Sequence, residues 1–496
     1  MGPHLLHPAA GALAAARAEL APELADLGKA DLLVMAGLGL GWHARAALDQ
    51  PEGAALLVYE PDPRQRALAA ALGPELAEVT ITCNENELEA RLSEALVYGQ
   101  AQRARVFSPP ALRSQQPGLG QRVALLVAAQ VQRARVDRAN RRAKQDLWLT
   151  HLADNFKHVL DTPDIAGLAG RYQGVPALII GAGPSLDAGL PLLAGHNFER
   201  VLTLAAASAL GPLAGVGLWP DLALAIEAKD ESRQFAGADP ARTILAAASQ
   251  SHPNHFGAWP GRRALFHLSP WLAAVAGSRP ALPSGGHVTS AAFSLAVLMG
   301  CDPIVLVGQD LAYSQGRAYA SGRAGGLADA PPGVVSVPGI GGSTVETSVV
   351  MAGYIAWYRE AAAYLAGLSQ PVRLINATGS GAFLEGFAHL PLAEALAELQ
   401  ANGARHVSVA ASLQRLELPT AEAAGQGLAG VRGQVRQARA QLASASLNQL
   451  LEYWPAQTAV GEALRRLPAG AGPDQVQAAL ARLADLVGRM WEGLYA

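Results

Sequence analysis

The sequence is poor in charged residues and in cysteine, and each shortage excludes a class of protein. Charged residues make up 16% of the 496 residues and apolar residues 50%, which excludes a disordered, solvating chain. Lys and Arg (38) nearly balance Asp and Glu (41), so the basic excess of a dedicated nucleic-acid binder is absent. The two cysteines, Cys83 and Cys301, cannot build a disulfide scaffold, which favours a reducing compartment. We therefore expect a globular, cytoplasmic, multi-domain protein.

The sequence also lacks a long apolar run. Its first residues show no basic segment followed by an apolar core, so no secretory signal is predicted. The uncharged stretch 201–220 is about as long as a membrane span, but five Gly and Pro residues interrupt it. A buried strand, a short helix and a turn are expected there, and no integral membrane association is predicted.

Strand-like and helix-like segments alternate along most of the chain. One such stretch runs from 31 to about 106, and a second begins at Val175 and ends near Leu399. This alternation predicts parallel sheets with helices on their faces, so the expected fold class is α/β. The remaining C-terminal residues have helical spacing, with loops expected at Gly425 to Gly433 and at Pro468 to Pro473.

A first glycine motif follows the first predicted strand. Gly37, Gly39 and Gly41 precede a helix, and Glu60 ends the next strand, where an acid could bind ribose hydroxyls. The third glycine of the full dinucleotide fingerprint is missing. A purely structural turn is therefore favoured, and an NAD- or methyl-donor-dependent enzyme is kept as an alternative.

A second motif, GAGPSLD, joins a buried strand to a helix at 181–187. Gly181 and Gly183 leave room for a ligand against the backbone, and Pro184 suits the first position of a helix. Ser185 can cap the helix or bind a phosphate oxygen, and Asp187 suits its first turn. Free N–H groups are expected at this helix start, so the motif predicts an anion site.

A third motif lies between His287 and Ser314. Thr289 and Ser290 stand at a predicted helix start, where two hydroxyls and free N–H groups could hold a carboxylate. The following strand ends at Gln309 and Asp310, and ligand crevices of α/β proteins collect polar side chains at such strand ends. Both features predict that this segment contributes to a ligand site.

These motifs together resemble a known family. VPALIIGAGPSLD, LPSGGHVTSAAFSLAVLMGCDPIVLVGQDLAYSQGRAYASG and LINATGSGAFLEGF are similar to the central domain of motility-associated factor proteins. Those proteins are flagellin glycosyltransferases that attach nonulosonic acids of the pseudaminic and legionaminic type. The resemblance implies a CMP-activated donor, Ser or Thr hydroxyls of flagellin as acceptor, and a role in flagellum assembly and motility. MAGLGLGWHARAAL is similar to the family's N-terminal Rossmann-like domain.

The resemblance also implies a domain plan. It comprises two Rossmann-like α/β domains, the second a sialyltransferase-like glycosyltransferase core, and a helical C-terminal domain. The expected boundaries are 1–117 for the N-terminal domain, 118–170 for a connecting helical region, 171–399 for the central domain and 400–496 for the helices.

More distantly, the core is similar to bacterial sialyltransferases, in which the glycine turn holds CMP and a Thr-Ser pair contacts the sugar carboxylate. Where those enzymes carry an amide side chain near the donor, this chain has Glu227. The donor-binding residues expected from motif and resemblance are Gly181, Gly183, Pro184, Ser185, Glu227, Thr289, Ser290 and Gln309.

The catalytic base departs from the sialyltransferase pattern. The position of their lid histidine corresponds to Gly342. Asp310 and Glu346 are the carboxylates that could replace it, and Tyr313 could stabilise the departing phosphate or simply pack. The acceptor hydroxyl would attack with inversion. No Asp-x-Asp pair and no Cys/His set with ligand spacing occur, so no metal and no obligatory cofactor are predicted.

Two further alternatives stay open. Archaeal pterin diphosphokinases share the Gly-Pro-Ser-Leu core and carry paired acids after a Pro-Asp that closes the second strand. Asp221 matches that Pro-Asp, but Glu227 and Asp230 are spaced differently. A non-catalytic flagellin-binding protein of the same fold is the other alternative, and Gly342 is its main support.

Overall fold

The computed structural model divides into two compact units, Met1–Arg141 and Arg142–Ala496. The finer four-part domain plan expected from the sequence stays a prediction. The structure describes residues 11–25, 27–28, 31–49, 54–72, 76, 79–93, 95–96, 101, 103–113, 115–275, 281–314, 316–322, 334–402, 408–442, 445–447, 449–450, 454, 458–465, 467 and 471–495.

The N-terminal unit contains a four-stranded parallel sheet in the order β3-β2-β1-β4. All six residues of the central strand β1 are buried, as expected for a parallel strand covered on both faces. The elements are α1 Ala12–Leu24, β1 Asp31–Ala36, α2 Trp42–Leu48, β2 Ala55–Tyr59, α3 Pro63–Leu72, β3 Thr80–Thr82, α4 Glu85–Ser93, β4 Arg103–Phe107 and α5 Pro110–Arg113. These strands confirm the alternation predicted for 31–106.

A single helix, α6 (Leu119–Asp161), occupies the connecting region that was predicted to be helical. Its C-terminal part belongs to the second unit. There the buried Asn155 amide donates to the backbone oxygens of Ser249 and Ser251 at 3.0 and 2.7 Å. This side chain therefore fixes the loop that follows strand β8 (Ile244–Ala248).

The second unit contains an eight-stranded parallel sheet in the order β14-β13-β10-β5-β6-β7-β8-β9. Successive strands run from β5 outward to β9, and the chain then returns to place β10 on the other side of β5. Its elements are β5 Ala177–Ile180, α7 Leu186–Ala194, β6 Leu202–Ala206, α8 Leu210–Ala214, β7 Leu222–Ala225, β8, α9 Pro253–Gly257, β9 Arg263–Phe266, α10 Pro270–Val275, α11 Val288–Met299, β10 Ile304–Val307, β13 Leu374–Asn376 and β14 Ala388–His389. The switch point between β5 and β10 is where α/β proteins bind ligands, at the carboxyl ends of the strands.

A hairpin that the sequence did not predict lies between β10 and β13. Strands β11 (Val334–Pro338) and β12 (Thr344–Ser348) pair antiparallel and lead into helix α12 (Val349–Ala366). Gly342 stands in the exposed turn with φ 82, a conformation in which a side chain is strained.

The C-terminal part is helical, as predicted. It comprises α13 Leu392–Asn402, α14 Val409–Leu413, α15 Ala421–Leu442 and two further helices, Ala459–Arg465 and Pro473–Tyr495. The prediction of a loop at Gly425 to Gly433 is wrong, because these residues belong to α15, in which Leu428 and Val431 are buried. A Cβ on Gly427 would stand 2.9 Å from the Cα of Val275, so close packing accounts for a glycine there. Of the predicted loop Pro468 to Pro473, residues 468–470 lie outside the described part.

The predicted fold class is confirmed as α/β with two parallel sheets and C-terminal helices. None of the helices in the described ranges combines the length and apolar composition that a membrane crossing needs.

Candidate active site

The glycine turn of the N-terminal unit is filled by protein atoms. A Cβ on Gly37 would stand 2.6 Å from the Cδ1 atom of the buried Leu112 in α5. Glu60 is fully buried, and its carboxylate accepts the backbone N–H groups of Leu38 at 2.9 Å and Asp62 at 3.0 Å. Glu60 therefore holds the turn together, which favours the structural interpretation of this motif over a cofactor site.

We expect Glu60→Gln to lower the free energy of unfolding by about 1–3 kcal/mol, because one of the two N–H groups would then face an amide N–H. Glu85→Gln, on the exposed first turn of α4, is the control and should change stability little. Denaturant unfolding measures the stability of both variants. Equal stability of the two variants, or NAD or S-adenosylmethionine binding that only Glu60→Gln abolishes, would contradict the structural role.

A cleft of about 600 Å³ opens in the second unit at the carboxyl ends of β5, β6, β7 and β10. It therefore lies at the switch point of the sheet. Its lining includes alanines at the ends of β6 and β7 and tyrosines from α12 and from the segment after β10. Seven of the residues predicted from the sequence line it: Gly181, Gly183, Glu227, Thr289, Gln309, Asp310 and Tyr313.

Ser185 and Asp310, 125 residues apart in the chain, are joined beside this cleft. The Ser185 N–H donates to Asp310 Oδ1 at 3.0 Å, and the Ser185 hydroxyl donates to Oδ2 at 2.7 Å. The hydroxyl therefore does not cap α7, which begins at Leu186, and Pro184 precedes the helix instead of occupying its first position. Ser185 and Pro184 are not among the residues that line the cleft.

The two glycines of the turn let it lie directly against the end of β10. The N–H groups of Gly181 and Gly183 donate to the backbone oxygens of Val307 and Gly308, each at 2.8 Å. A Cβ on Gly183 would stand 2.1 Å from Asp310 Oδ2, so only glycine fits. The prediction of free N–H groups in this turn is wrong at Gly181, Gly183 and Ser185, because backbone oxygens at the end of β10 and the Asp310 carboxylate already accept from them.

Asp310 is the most strongly perturbed carboxylate of the cleft. Asp310 is 2% exposed. Burial raises the pKa of its carboxyl group to about 6, although hydrogen bonds from Ser185 and Ser380 act to lower that pKa. A carboxyl group with this pKa is ionised at neutral pH and is still a stronger base than an ordinary aspartate. It therefore has the property that a general base near pH 7 needs.

Helix α11 begins inside the cleft, and His287, its N-cap residue, makes no side-chain capping hydrogen bond. Thr289 lines the cleft, as predicted. Ser290 does not, because its hydroxyl donates to the His287 backbone oxygen at 2.6 Å and accepts the Gly285 N–H at 2.9 Å. The expectation that both hydroxyls face a ligand is therefore wrong for Ser290, which stabilises the loop ahead of the helix.

The remaining residues considered for catalysis or donor binding differ in whether they line the cleft. Tyr313 lines the cleft, and its phenol oxygen is buried without a hydrogen-bond partner. Glu227 lines the cleft as an exposed side chain. Glu346 stands exposed on β12 and does not line the cleft, and its backbone oxygen accepts the Tyr313 N–H at 2.8 Å. Gly342 does not line the cleft either.

Two histidines of the cleft were not predicted. His287 lines it beside Thr289, and burial lowers its pKa to about 3. His255, from α9, lines the opposite part, and burial lowers its pKa to about 4. The position of His287 just ahead of the helix-start motif was a signal that could have drawn attention to it. No local signal marks His255, which reaches the cleft through the packing of α9.

The acids of the diphosphokinase alternative do not converge here. Asp221 precedes β7, at the opposite end from the cleft, and accepts the backbone N–H and hydroxyl of Thr203 at 2.9 and 2.7 Å. Asp230 accepts hydrogen bonds from Ser232 and Asn254, which lower its pKa. Within the described residues no group of three His, Cys, Asp or Glu side chains is arranged to hold a metal ion.

The fold and the cleft define a doubly wound α/β protein with a cleft at the switch point of its sheet, where such proteins bind ligands. The family model described as 6-hydroxymethylpterin diphosphokinase MptE-like matches residues 150–316, a third of the chain. That range contains the glycine turn, the start of α11 and the end of β10.

Four chains of solved structures match as well. One is the MAf glycosyltransferase from Magnetospirillum magneticum AMB-1, at 16% identity and a TM-score of 0.46, over 97% of this chain and 82% of that one. It carries the name of the family that the sequence motifs resemble. No curated protein matches the chain at a significant level.

Proposed function

We propose that the chain is an inverting glycosyltransferase that moves a nonulosonic acid from a CMP-activated donor to a Ser or Thr hydroxyl of flagellin, in the cytoplasm. The observation that carries the proposal is that one cleft joins three motifs, of which the resemblance assigns the first two to the donor and the strand-end pattern predicts the third. These are the glycine turn at 181–183, the helix start at Thr289 and the strand end at Gln309–Asp310.

The start of α11 is the part of the cleft that suits an acidic sugar. Its ionisable carboxylates are Glu227, Glu231 and Asp310, and no Lys or Arg is among the described residues that line it. The N-terminus of the 12-residue helix α11 is therefore the feature that favours an anion. The Thr289 hydroxyl lies in that first turn and would donate to the sugar carboxylate.

The chemistry requires little acid catalysis at the leaving group. A CMP-linked sugar leaves with an anionic phosphate, so its departure needs hydrogen-bond donors more than a proton. The buried, unpartnered phenol of Tyr313 is available as such a donor. As the bond to phosphate breaks, the sugar becomes cationic at its anomeric carbon, and its own carboxylate must stay fixed at Thr289.

We assign the base to Asp310. The acceptor hydroxyl attacks the face opposite the phosphate, its proton passes to the Asp310 carboxylate, and the anomeric carbon is inverted. Burial raises the pKa of Asp310 to about 6, which suits this step near neutral pH. Glu346, the other carboxylate considered, does not line the cleft. A pterin diphosphokinase-like activity is the second candidate, favoured by the family model over residues 150–316.

Calorimetric titration with CMP, repeated in EDTA and compared with ATP plus magnesium, separates these candidates. We expect metal-independent CMP binding. Tyr313→Phe should weaken it about 3–10-fold, because one hydrogen bond is lost. Tyr364→Phe, on an exposed residue of α12, is the matched control and should bind like the unchanged protein. Magnesium-dependent ATP binding without CMP binding would support the diphosphokinase candidate. If neither nucleotide binds, a non-catalytic binding protein is supported.

Thr289→Val tests the sugar subsite separately. CMP itself carries no sugar carboxylate, so its affinity should be unchanged, whereas the affinity for CMP-sialic acid should fall roughly 10–100-fold. Thr243→Val is the control, because Thr243 is equally buried but precedes β8, away from the cleft. If Thr289→Val weakens both ligands equally, or neither, the sugar carboxylate does not bind at α11.

A further inference from the structure

His287 lies where three elements of the cleft meet. It precedes α11, and its ring stacks on Tyr354 of α12 with the ring centroids 4.2 Å apart and the planes at 21°. Its Nε2 atom lies 3.4 Å from the side-chain nitrogen of Gln309, which follows β10. The ring therefore touches the end of β10 and α12 while its own backbone begins α11.

In the orientation that the Gln309 amide adopts here, its nitrogen faces the His287 ring. An amide nitrogen has hydrogens and no lone pair to offer, so the His287 Nε2 must accept. This requires a neutral ring with its proton on Nδ1. Burial lowers the pKa of His287 to about 3, so the ring is neutral at physiological pH. The protonation state and the contact geometry are therefore consistent.

Gln309 is held at its backbone, and its side-chain oxygen lies beside the glycine turn. Its backbone N–H donates to the Thr378 hydroxyl at 3.1 Å, and a Cβ on Gly181 would stand 3.0 Å from its side-chain oxygen. The side-chain amide thus extends from the glycine turn to the ring of His287, along the cleft wall. His287 uses one of its two amide hydrogens, which leaves the other hydrogen and the oxygen for a ligand.

We propose that His287 is a positioning residue that orients the side-chain amide of Gln309 toward the donor. This inference rests on the proposed donor-binding function and adds a residue that no motif assigned. His287 acts through Gln309 and takes no part in the proton transfer.

Substitutions of His287 test the proposal in the full chain. His287→Phe keeps the stack on Tyr354 but removes the acceptor, so we expect kcat/KM for CMP-sialic acid to fall about 3–10-fold. His287→Gln restores an acceptor oxygen and should recover part of the loss. In a Gln309→Met background, His287→Phe should have no further effect. If His287→Phe lowers kcat/KM equally in both backgrounds, the proposal is overturned. It is also overturned if kcat/KM of His287→Gln is no higher than that of His287→Phe.

His196→Phe, at a half-buried histidine that follows α7 and does not line the cleft, is the matched control and should leave kcat/KM unchanged. A second readout needs no substrate. In chain labelled with ¹⁵N-histidine, the resonance lost in His287→Phe should report a neutral ring with unprotonated Nε2 down to about pH 4. A protonated Nε2, or titration near pH 6.5, would overturn the proposal. If the unchanged protein binds no CMP-sialic acid, the proposed function fails, and the NMR result still decides the contact with Gln309.

Discussion

Replacement of Asp310 by asparagine is expected to lower kcat for sugar transfer by about 10²–10⁴-fold, with little change in CMP affinity. Asparagine keeps the size of the side chain and one oxygen that can accept from Ser185, but it cannot take the acceptor's proton. The matched control is Glu346→Gln, at an exposed position of β12 that does not line the cleft, which should retain full kcat. Loss of transfer in Glu346→Gln but not in Asp310→Asn would reassign the base.

The pH profile makes this prediction specific. Because the pKa of Asp310 is about 6, kcat of the unchanged protein should rise with pH below that value and level off above it. The residual kcat of Asp310→Asn should not show this rise with pH.

Stability should depend on pH in the opposite sense to turnover. The raised pKa means that the folded chain holds this proton more tightly than the unfolded chain does. The stabilising contribution is therefore complete below the ordinary pKa of 3.8 and is lost as the pH rises through about 6. Asp310→Asn should remove this part of the pH dependence of unfolding.

Gly183→Ala is expected to lower the free energy of unfolding by about 3 kcal/mol and to abolish CMP binding. The new Cβ would stand 2.1 Å from Asp310 Oδ2 and 2.7 Å from the backbone oxygen of Gly308, which cannot turn away. Relief of the clash would require separation of the glycine turn from the end of β10, at the base of the cleft.

Gly430→Ala provides the matched control, since the same substitution at this exposed position of α15 meets nothing within 4 Å. It should raise the free energy of unfolding by about 0.5–1 kcal/mol, because alanine favours a helix. Denaturant unfolding and CMP titration measure both variants. If Gly183→Ala is as stable as Gly430→Ala and binds CMP, the tight turn is not required.

The sheets were predictable because buried parallel strands read as short apolar runs between helices. DLLVMA and PALII are such runs, and they form the centres of the two sheets. The hairpin at 334–348 was missed, because β11 is largely exposed and lacks the apolar pattern of a core strand. The glycines of α15 suggested a loop, but packing against Val275 and the burial of Leu428 override their weak helix propensity.

The candidate site was predictable only as separate motifs. Each strand end and helix start could be located from local pattern, and most of their polar residues do line one cleft. The pairing of Ser185 with Asp310 could not be predicted, because it depends on which strand lies beside β5. The same holds for Leu112 filling the N-terminal glycine turn, which a sequence pattern cannot distinguish from an open cofactor site.

The pairing of Ser185 with Asp310 gives the anion site of the glycine motif an occupant from the protein itself. Both donors of Ser185, its N–H and its hydroxyl, already serve the Asp310 carboxylate. A phosphate that used them would have to displace a buried side chain, so a ligand in the cleft depends on other donors. The motif therefore ties the end of β5 to the end of β10, whichever ligand the cleft binds.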